Sequence, residues 1–180
     1  MKVTPTRLAE VLLIEPKVFG DARGFFLESW NEREFEAAGI CARFVQDNHS
    51  RSERNVLRGL HYQIRQPQGK LVRVIAGEIF DVVIDIRRGS PNFGHWEGVR
   101  LNAESHNMLW VPVGFAHGFC VVSEVAEVLY KTTDFYAPAY ERCILWNDPK
   151  VRIDWPLSGA PILSAKDASG VRLRDAETFP

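Results

Sequence analysis

Short apolar runs rich in Val, Ile, Leu and Phe recur along this chain, and Gly, Pro, Asn or Asp interrupts each within a few residues. The principal ones are Val11–Ile14, Gly24–Glu28, Phe44–Gln46, Lys70–Ala76, Glu78–Ile86, Met108–Val113, Phe119–Val122 and Glu127–Thr132. Runs this short suit strands better than helices. Their close spacing predicts an all-β fold, a sandwich or barrel of antiparallel sheets with a few short helices. The clearest two-residue alternation is Phe80, Val82, Ile84 and Ile86, with Asp81 and Asp85 on the opposite face. One helix is well signalled, because Asn31 can cap it, Glu34 can complete a capping box and Gly39 can end it. The C-terminal region has room for a second short one.

No repeat, charge block or Pro/Ser-rich linker divides the chain, so residues 1–180 read as a single domain. At 180 residues and 46% hydrophobic content it can bury one substantial core. A formal charge of −1, from 22 Lys and Arg against 23 Asp and Glu, excludes a globally basic nucleic-acid binder. Three cysteines without a CxxC make no disulfide framework and fit a reducing, cytoplasmic setting. The start, Met1-Lys2-Val3-Thr4-Pro5, has no apolar secretion core. Between Glu104 and Glu124 no charged residue occurs, yet Pro112, Gly114, His117 and Gly118 give that stretch strand-and-turn chemistry, not that of a membrane span.

Two features point to chemistry. Arg51, Arg54, Arg58, Arg65, Lys70 and Arg73 cluster around His61 against the single acid Glu53, which reads either as an anion site or as a solvated basic face. Pro112-Val113-Gly114-Phe115-Ala116-His117 has the P-x-G-x-x-H spacing of a cupin half-motif. The other half-motif would supply H-x-H, but Gln63 stands where the second imidazole would be. His61 and His117 alone make a poor divalent site, so a cupin-like jelly-roll barrel without a metal is expected.

The resemblance then becomes specific. Phe19-Gly20-Asp21-Ala22-Arg23-Gly24-Phe25-Phe26, Phe44-Val45-Gln46-Asp47-Asn48-His49-Ser50 and Val56-Leu57-Arg58-Gly59-Leu60-His61-Tyr62-Gln63 resemble the dTDP-4-dehydrorhamnose 3,5-epimerase family. So do Gln68–Arg73, Phe115–Gly118, Leu129–Lys131, Ile144–Pro149 and Leu163–Asp167, in the family's order from about Leu8 to Asp167. The resemblance implies His61 as general base, Tyr130 as general acid, Lys70 as partner of a developing enolate oxygen and Asp167 as the carboxylate that orients His61. It implies a dTDP-sugar substrate and no cofactor, since the sugar's own C4 ketone takes up the charge. Arg23 and Arg58 match diphosphate contacts, while Glu28, Gln46, Asp47 and Asn48 match positions around the nucleoside. Tyr136 matches a ring that stacks on the base, and His117, Glu141 and Lys166 match further substrate contacts. It also implies a homodimer with exchanged N-terminal strands, so that Arg23 and Glu28 reach the neighbour's site.

Read without the resemblance, Tyr130 is a packing residue, Asp167 a turn aspartate and Lys70 a solvated strand start. Cys120 and Cys143 read as small buried hydrophobes, and Cys41 as the exposed thiol. Strand parity separates Arg58 from His61, although the resemblance needs both at the substrate; a bulge at Gly59 would reconcile them, as would sites of two chains meeting at different faces, and the bulge is preferred. A single-carbon epimerase, a metal-dependent cupin and a non-catalytic sugar-nucleotide-binding cupin stay open as alternatives.

Overall fold

The computed structural model describes residues 1–180, and antiparallel strands dominate it. Thirteen strands run in chain order: β1 (Lys2–Pro5), β2 (Leu12–Glu15), β3 (Val18–Asp21), β4 (Gly24–Leu27), β5 (Gln46–Glu53), β6 (Leu57–Gln63), β7 (Lys70–Ala76), β8 (Glu78–Asp85), β9 (Trp96–Asn102), β10 (Met108–Val111), β11 (Phe115–Val121), β12 (Val125–Thr132) and β13 (Glu141–Cys143). Two short α-helices, α1 (Glu32–Ala37) and α2 (Ala165–Ala168), and two 3-10 turns, Pro138–Tyr140 and Leu173–Asp175, complete the regular structure. Asn31 caps α1 through its side chain and Gly39, at φ 85°, follows it, as the sequence predicts. No helix is long and apolar enough to cross a membrane.

The larger sheet has the order β1-β2-β10-β7-β12-β5 and the smaller one β13-β6-β11-β8-β9. Their inner faces meet in a shared core, where Val72, Val74, Leu109 and Val128 pack with Ile79, Val83, Leu101 and Phe119. This is the antiparallel jelly-roll architecture expected of a cupin-like chain. On the outer face of the larger sheet α1 contributes Phe35, which packs with Ile14, Leu71 and Met108.

The alternation in β8 has an unexpected use. Val82, Ile84 and Ile86 face outward, but the C-terminal segment covers them with Val151, Leu173 and Ala176. Ile79 and Val83 share the inner face with Asp81, so both faces of the strand are buried. Several boundaries also differ from the sequence reading. The run at Phe44 becomes strand only from Gln46 and continues through polar residues to Glu53. Phe115, not Phe119, begins β11, and β9 had no apolar run to announce it. Of the two early strands, β2 pairs with β10 within the chain, whereas β3 and β4 pair only with each other.

Candidate active site

A cavity of about 540 Å³ lies where the two sheets and α2 converge. Gln46, Asn48 and Ser50 of β5, Lys70 of β7 and Tyr130 of β12 line it from the larger sheet. Arg58, His61 and Gln63 of β6, His117 of β11 and Glu141 of β13 line it from the smaller one, and α2 adds Lys166 and Asp167.

Gly59 makes this convergence possible. Along β11 and β6, His117 lies opposite His61 and Phe119 opposite Arg58, so β6 holds one more residue than its partner there. The expected bulge is present, and it brings both Arg58 and His61 to the cavity. Only glycine fits this position: φ is +116°, and a Cβ would lie 2.6 Å from the Gly118 Cα and 2.7 Å from the His117 carbonyl.

His61 Nε2 lies 2.6 Å from Asp167 Oδ1, and no well-aligned hydrogen bond serves this buried nitrogen. His61 lines the cavity, and its Nδ1 makes no hydrogen bond within the protein. Ser164 caps α2 and donates its hydroxyl to Asp167 Oδ2 at 2.6 Å, while the Gly59 N–H donates to Oδ1 at 3.0 Å. Burial pushes the Asp167 pKa up, but His61, Ser164 and the Gly59 N–H outweigh it and hold the carboxyl well below the usual range. For His61, burial dominates and lowers the pKa, with Lys166 and Lys70 adding to the effect against Asp167. The imidazole is therefore neutral and able to accept a proton near pH 7.

Lys70 is 8% exposed, and its ammonium donates to the His61 carbonyl at 3.3 Å. Burial pulls its pKa down to about 8, against the attraction of Asp81 and Glu141. Burial also raises the Tyr130 phenol, which stays protonated. His117 and Asp81 form a second buried pair, with Nε2 at 2.9 Å from both carboxylate oxygens. The two imidazoles on which a cupin metal site would draw are thus each engaged by their own carboxylate.

At the cavity mouth Glu141 accepts from the Tyr136 hydroxyl at 2.9 Å and from the Lys166 ammonium at 2.7 Å. Gln46 accepts from the Tyr136 N–H at 3.0 Å and donates to Asn48 at 2.8 Å. Arg58 donates to Ser52 at 3.0 Å.

Three of the expected site residues are not brought to this cavity. Asp47 alternates with Gln46 and Asn48, faces the other side of β5 and pairs with Lys131 at 2.9 Å. Arg23 belongs to the β3–β4 hairpin and is held there by Asp21, while Glu28 just beyond it accepts from Asn31. The basic cluster disperses as well. Arg51 pairs with Glu127, Arg54 donates to the Val122 carbonyl and Arg65 lies over the Tyr140 ring, leaving Arg58 and Lys70 at the cavity. Sequence reasoning passed over Ser50, Gln68 and Asp81. The signal for Asp81 was a charged residue inside an otherwise apolar strand.

The family model for dTDP-4-dehydrorhamnose 3,5-epimerase matches residues 5–175. A dTDP-4-dehydrorhamnose 3,5-epimerase of Pseudomonas aeruginosa is 64% identical over 181 residues, covering 100% of both chains. The crystal structure of a Legionella pneumophila dTDP-6-deoxy-D-glucose-3,5-epimerase, in complex with dTDP-4-keto-L-rhamnose, superimposes with a TM-score of 0.96. It is 52% identical and the match covers 98% of this chain and 94% of that one. A 3′-monoepimerase of Streptomyces bikiniensis in complex with dTDP-quinovose is also similar, at 32% identity and TM-score 0.89, over 94% of this chain and 87% of that one. The chain belongs to the dTDP-4-dehydrorhamnose 3,5-epimerase family.

Proposed function

We propose that this family member is an isomerase that inverts C3 and C5 of dTDP-4-dehydro-6-deoxy-D-glucose, giving dTDP-4-dehydro-L-rhamnose for dTDP-L-rhamnose synthesis. One observation carries the reading: a carboxylate-backed imidazole on one sheet and an unpartnered phenol on the facing sheet share a cavity. Inversion needs that arrangement, since a proton must leave one face of the carbon and another must arrive on the opposite face.

C3 and C5 both flank the C4 ketone, so loss of either proton gives an enolate whose charge rests on the C4 oxygen. His61 takes the proton at Nδ1, and Asp167 stabilises the imidazolium that results. The buried Lys70 ammonium offers the enolate oxygen a cation that needs no rearrangement. Tyr130 returns a proton from the other side and regains its own from solvent. The substrate ketone serves as the electron sink, so the proposed steps call for no cofactor.

For the rest of the substrate, Arg58 suits a diphosphate oxygen, and Gln46, Asn48 and Tyr136 suit the nucleoside. Glu141, Lys166 and His117 complete the sugar end. Arg23 and Glu28 reach a site only if the β3–β4 hairpin is seated on a second copy, as in a strand-exchanged homodimer. The hairpin supports this arrangement: it pairs with no other strand and leaves Phe25 and Phe26 59% and 65% exposed. Three free cysteines accord with the cytoplasm as the compartment.

The test is proton NMR of the substrate incubated with the protein in D2O. Loss of both the C3 and C5 signals is expected, and His61→Ala abolishes both while dTDP still binds. Exchange at one carbon alone makes the protein a single-carbon epimerase. Exchange at neither, with the nucleotide bound, refutes the enzymatic reading.

A further inference from the structure

Cys143 plays no part in the proposed chemistry, yet it lies beside the residues that do. It is the partner of His61 in the β13–β6 register. Its sulfur, an imidazole nitrogen of His61 and an Asp167 oxygen all lie within 4.8 Å of one another, and Nε2 is the nitrogen that meets Asp167. The thiol reaches only the Ile144 carbonyl, at 3.6 Å, and Nε2 meets Asp167 without an aligned hydrogen bond, while the Asp167 oxygens already accept from Ser164 and the Gly59 N–H.

We infer that His61, Asp167 and Cys143 form an inhibitory site for a thiophilic divalent cation of the zinc type, with the fourth position open to the cavity. An imidazole, a carboxylate and a thiolate are the donor set that zinc favours. The strand pairing of β6 with β13 and the capped α2 hold the three donors in place.

Zinc lies about 2.0–2.1 Å from imidazole nitrogen and about 2.0–2.2 Å from carboxylate oxygen, so the two ligands of a tetrahedral ion stand about 3.3 Å apart. The present separation is 2.6 Å, and the ring, which borders the cavity, must swing outward to admit the ion. Burial pushes the Cys143 thiol up to about 12, so it stays protonated until the cation takes the place of its proton. That proton leaves to solvent. No electron is transferred.

Inhibition follows from the tautomer and rests on the proposed role of His61 as base. With Asp167 beside Nε2, that nitrogen carries the ring proton and Nδ1 keeps its lone pair for the substrate. A cation on Nε2 takes the lone pair there, and the neutral ring's proton moves to Nδ1. The base then has no lone pair to offer, although the nucleotide contacts of Arg58, Gln46 and Asn48 are untouched.

Two measurements test this. Solvent-deuterium exchange is followed against free zinc set by a metal buffer, in the unaltered protein and in Cys143→Ser. Zinc is expected to stop exchange at both carbons without changing dTDP affinity, and Cys143→Ser to need at least about tenfold more zinc. Equal inhibition of the variant, or a parallel loss of dTDP affinity, overturns the site. The second measurement is the spectrum with cobalt(II), which stands even if the variant folds poorly. A thiolate-to-cobalt charge-transfer band in the unaltered protein is expected, and its absence overturns the site. Should the band form while exchange continues undiminished, the site stands and the base role of His61 falls.

Discussion

Replacing Lys70 with Met is expected to stabilise the protein while disabling it. Burial lowers the ammonium from its ordinary 10.5 to about 8, so at pH 7 the folded chain carries a charge that its surroundings disfavour. By linkage that separation corresponds to a cost of roughly 3 kcal/mol. The variant also loses the 3.3 Å hydrogen bond to the His61 carbonyl, worth about 0.5–1 kcal/mol at that length. The flexible thioether fills much the same volume. The expected net gain at pH 7 is about 2 kcal/mol. Because the folded value lies below the unfolded one, the cost is full below pH about 8 and disappears as pH approaches 10.5. Urea unfolding of both proteins at matched concentration therefore should show the gap at pH 7 and little or none at pH 10. Product formation falls by about 10²–10³-fold through loss of the enolate's cation. An equally or less stable variant at pH 7, or a gap independent of pH, refutes the reasoning.

In Tyr130→Phe, product formation is expected to fall about 10²-fold or more while proton exchange in D2O persists; wild-type yield denies the phenol its acid role. Asp167→Asn keeps the shape but removes the charge behind His61, and steady-state turnover should drop about 10²–10⁴-fold with dTDP affinity retained. Turnover within a few-fold of wild type would show that His61 needs no carboxylate. Gly59→Ala must place a methyl 2.6 Å from the Gly118 Cα at a φ of +116°, and should cost more than about 2 kcal/mol in chemical denaturation. An alanine tolerated there would mean that the bulge is not held by close backbone approach.

Hydrophobic periodicity revealed those strands whose inner residues meet the core. Lys70–Ala76 was legible to the residue because Gly69 and Gly77 bound an apolar run. It could not reveal β5, Gln-Asp-Asn-His-Ser-Arg-Ser-Glu, whose inward positions line a polar cavity and so carry no apolar signature. Strand β9 escaped for a different reason. It is an edge strand with mixed composition, and at Gly98 a Cβ would come within 2.2 Å of the Phe80 ring. The residues that meet in the cavity were singled out through motif resemblance and not through pattern: taken alone, His61, Tyr130 and Asp167 read as ordinary core and turn residues. Parity, when applied to Gln46–Asn48, does separate Asp47 from its neighbours, and the structure follows it. The apolar face of β8 was visible, but its cover was not, because a C-terminal segment whose only regular structure near Leu173 is a single 3-10 turn supplies it.

The contact between Asp167 and the Gly59 N–H spans 108 residues of chain. Every strand of both sheets precedes α2 in order of synthesis. A nascent chain therefore carries all the barrel strands, and the His61 imidazole, before the carboxylate that lies beside it has been made. The pairing partners of the two sheets are thus all present in the chain before the residue that completes the His61 contact, so that contact forms only after the strands around it exist.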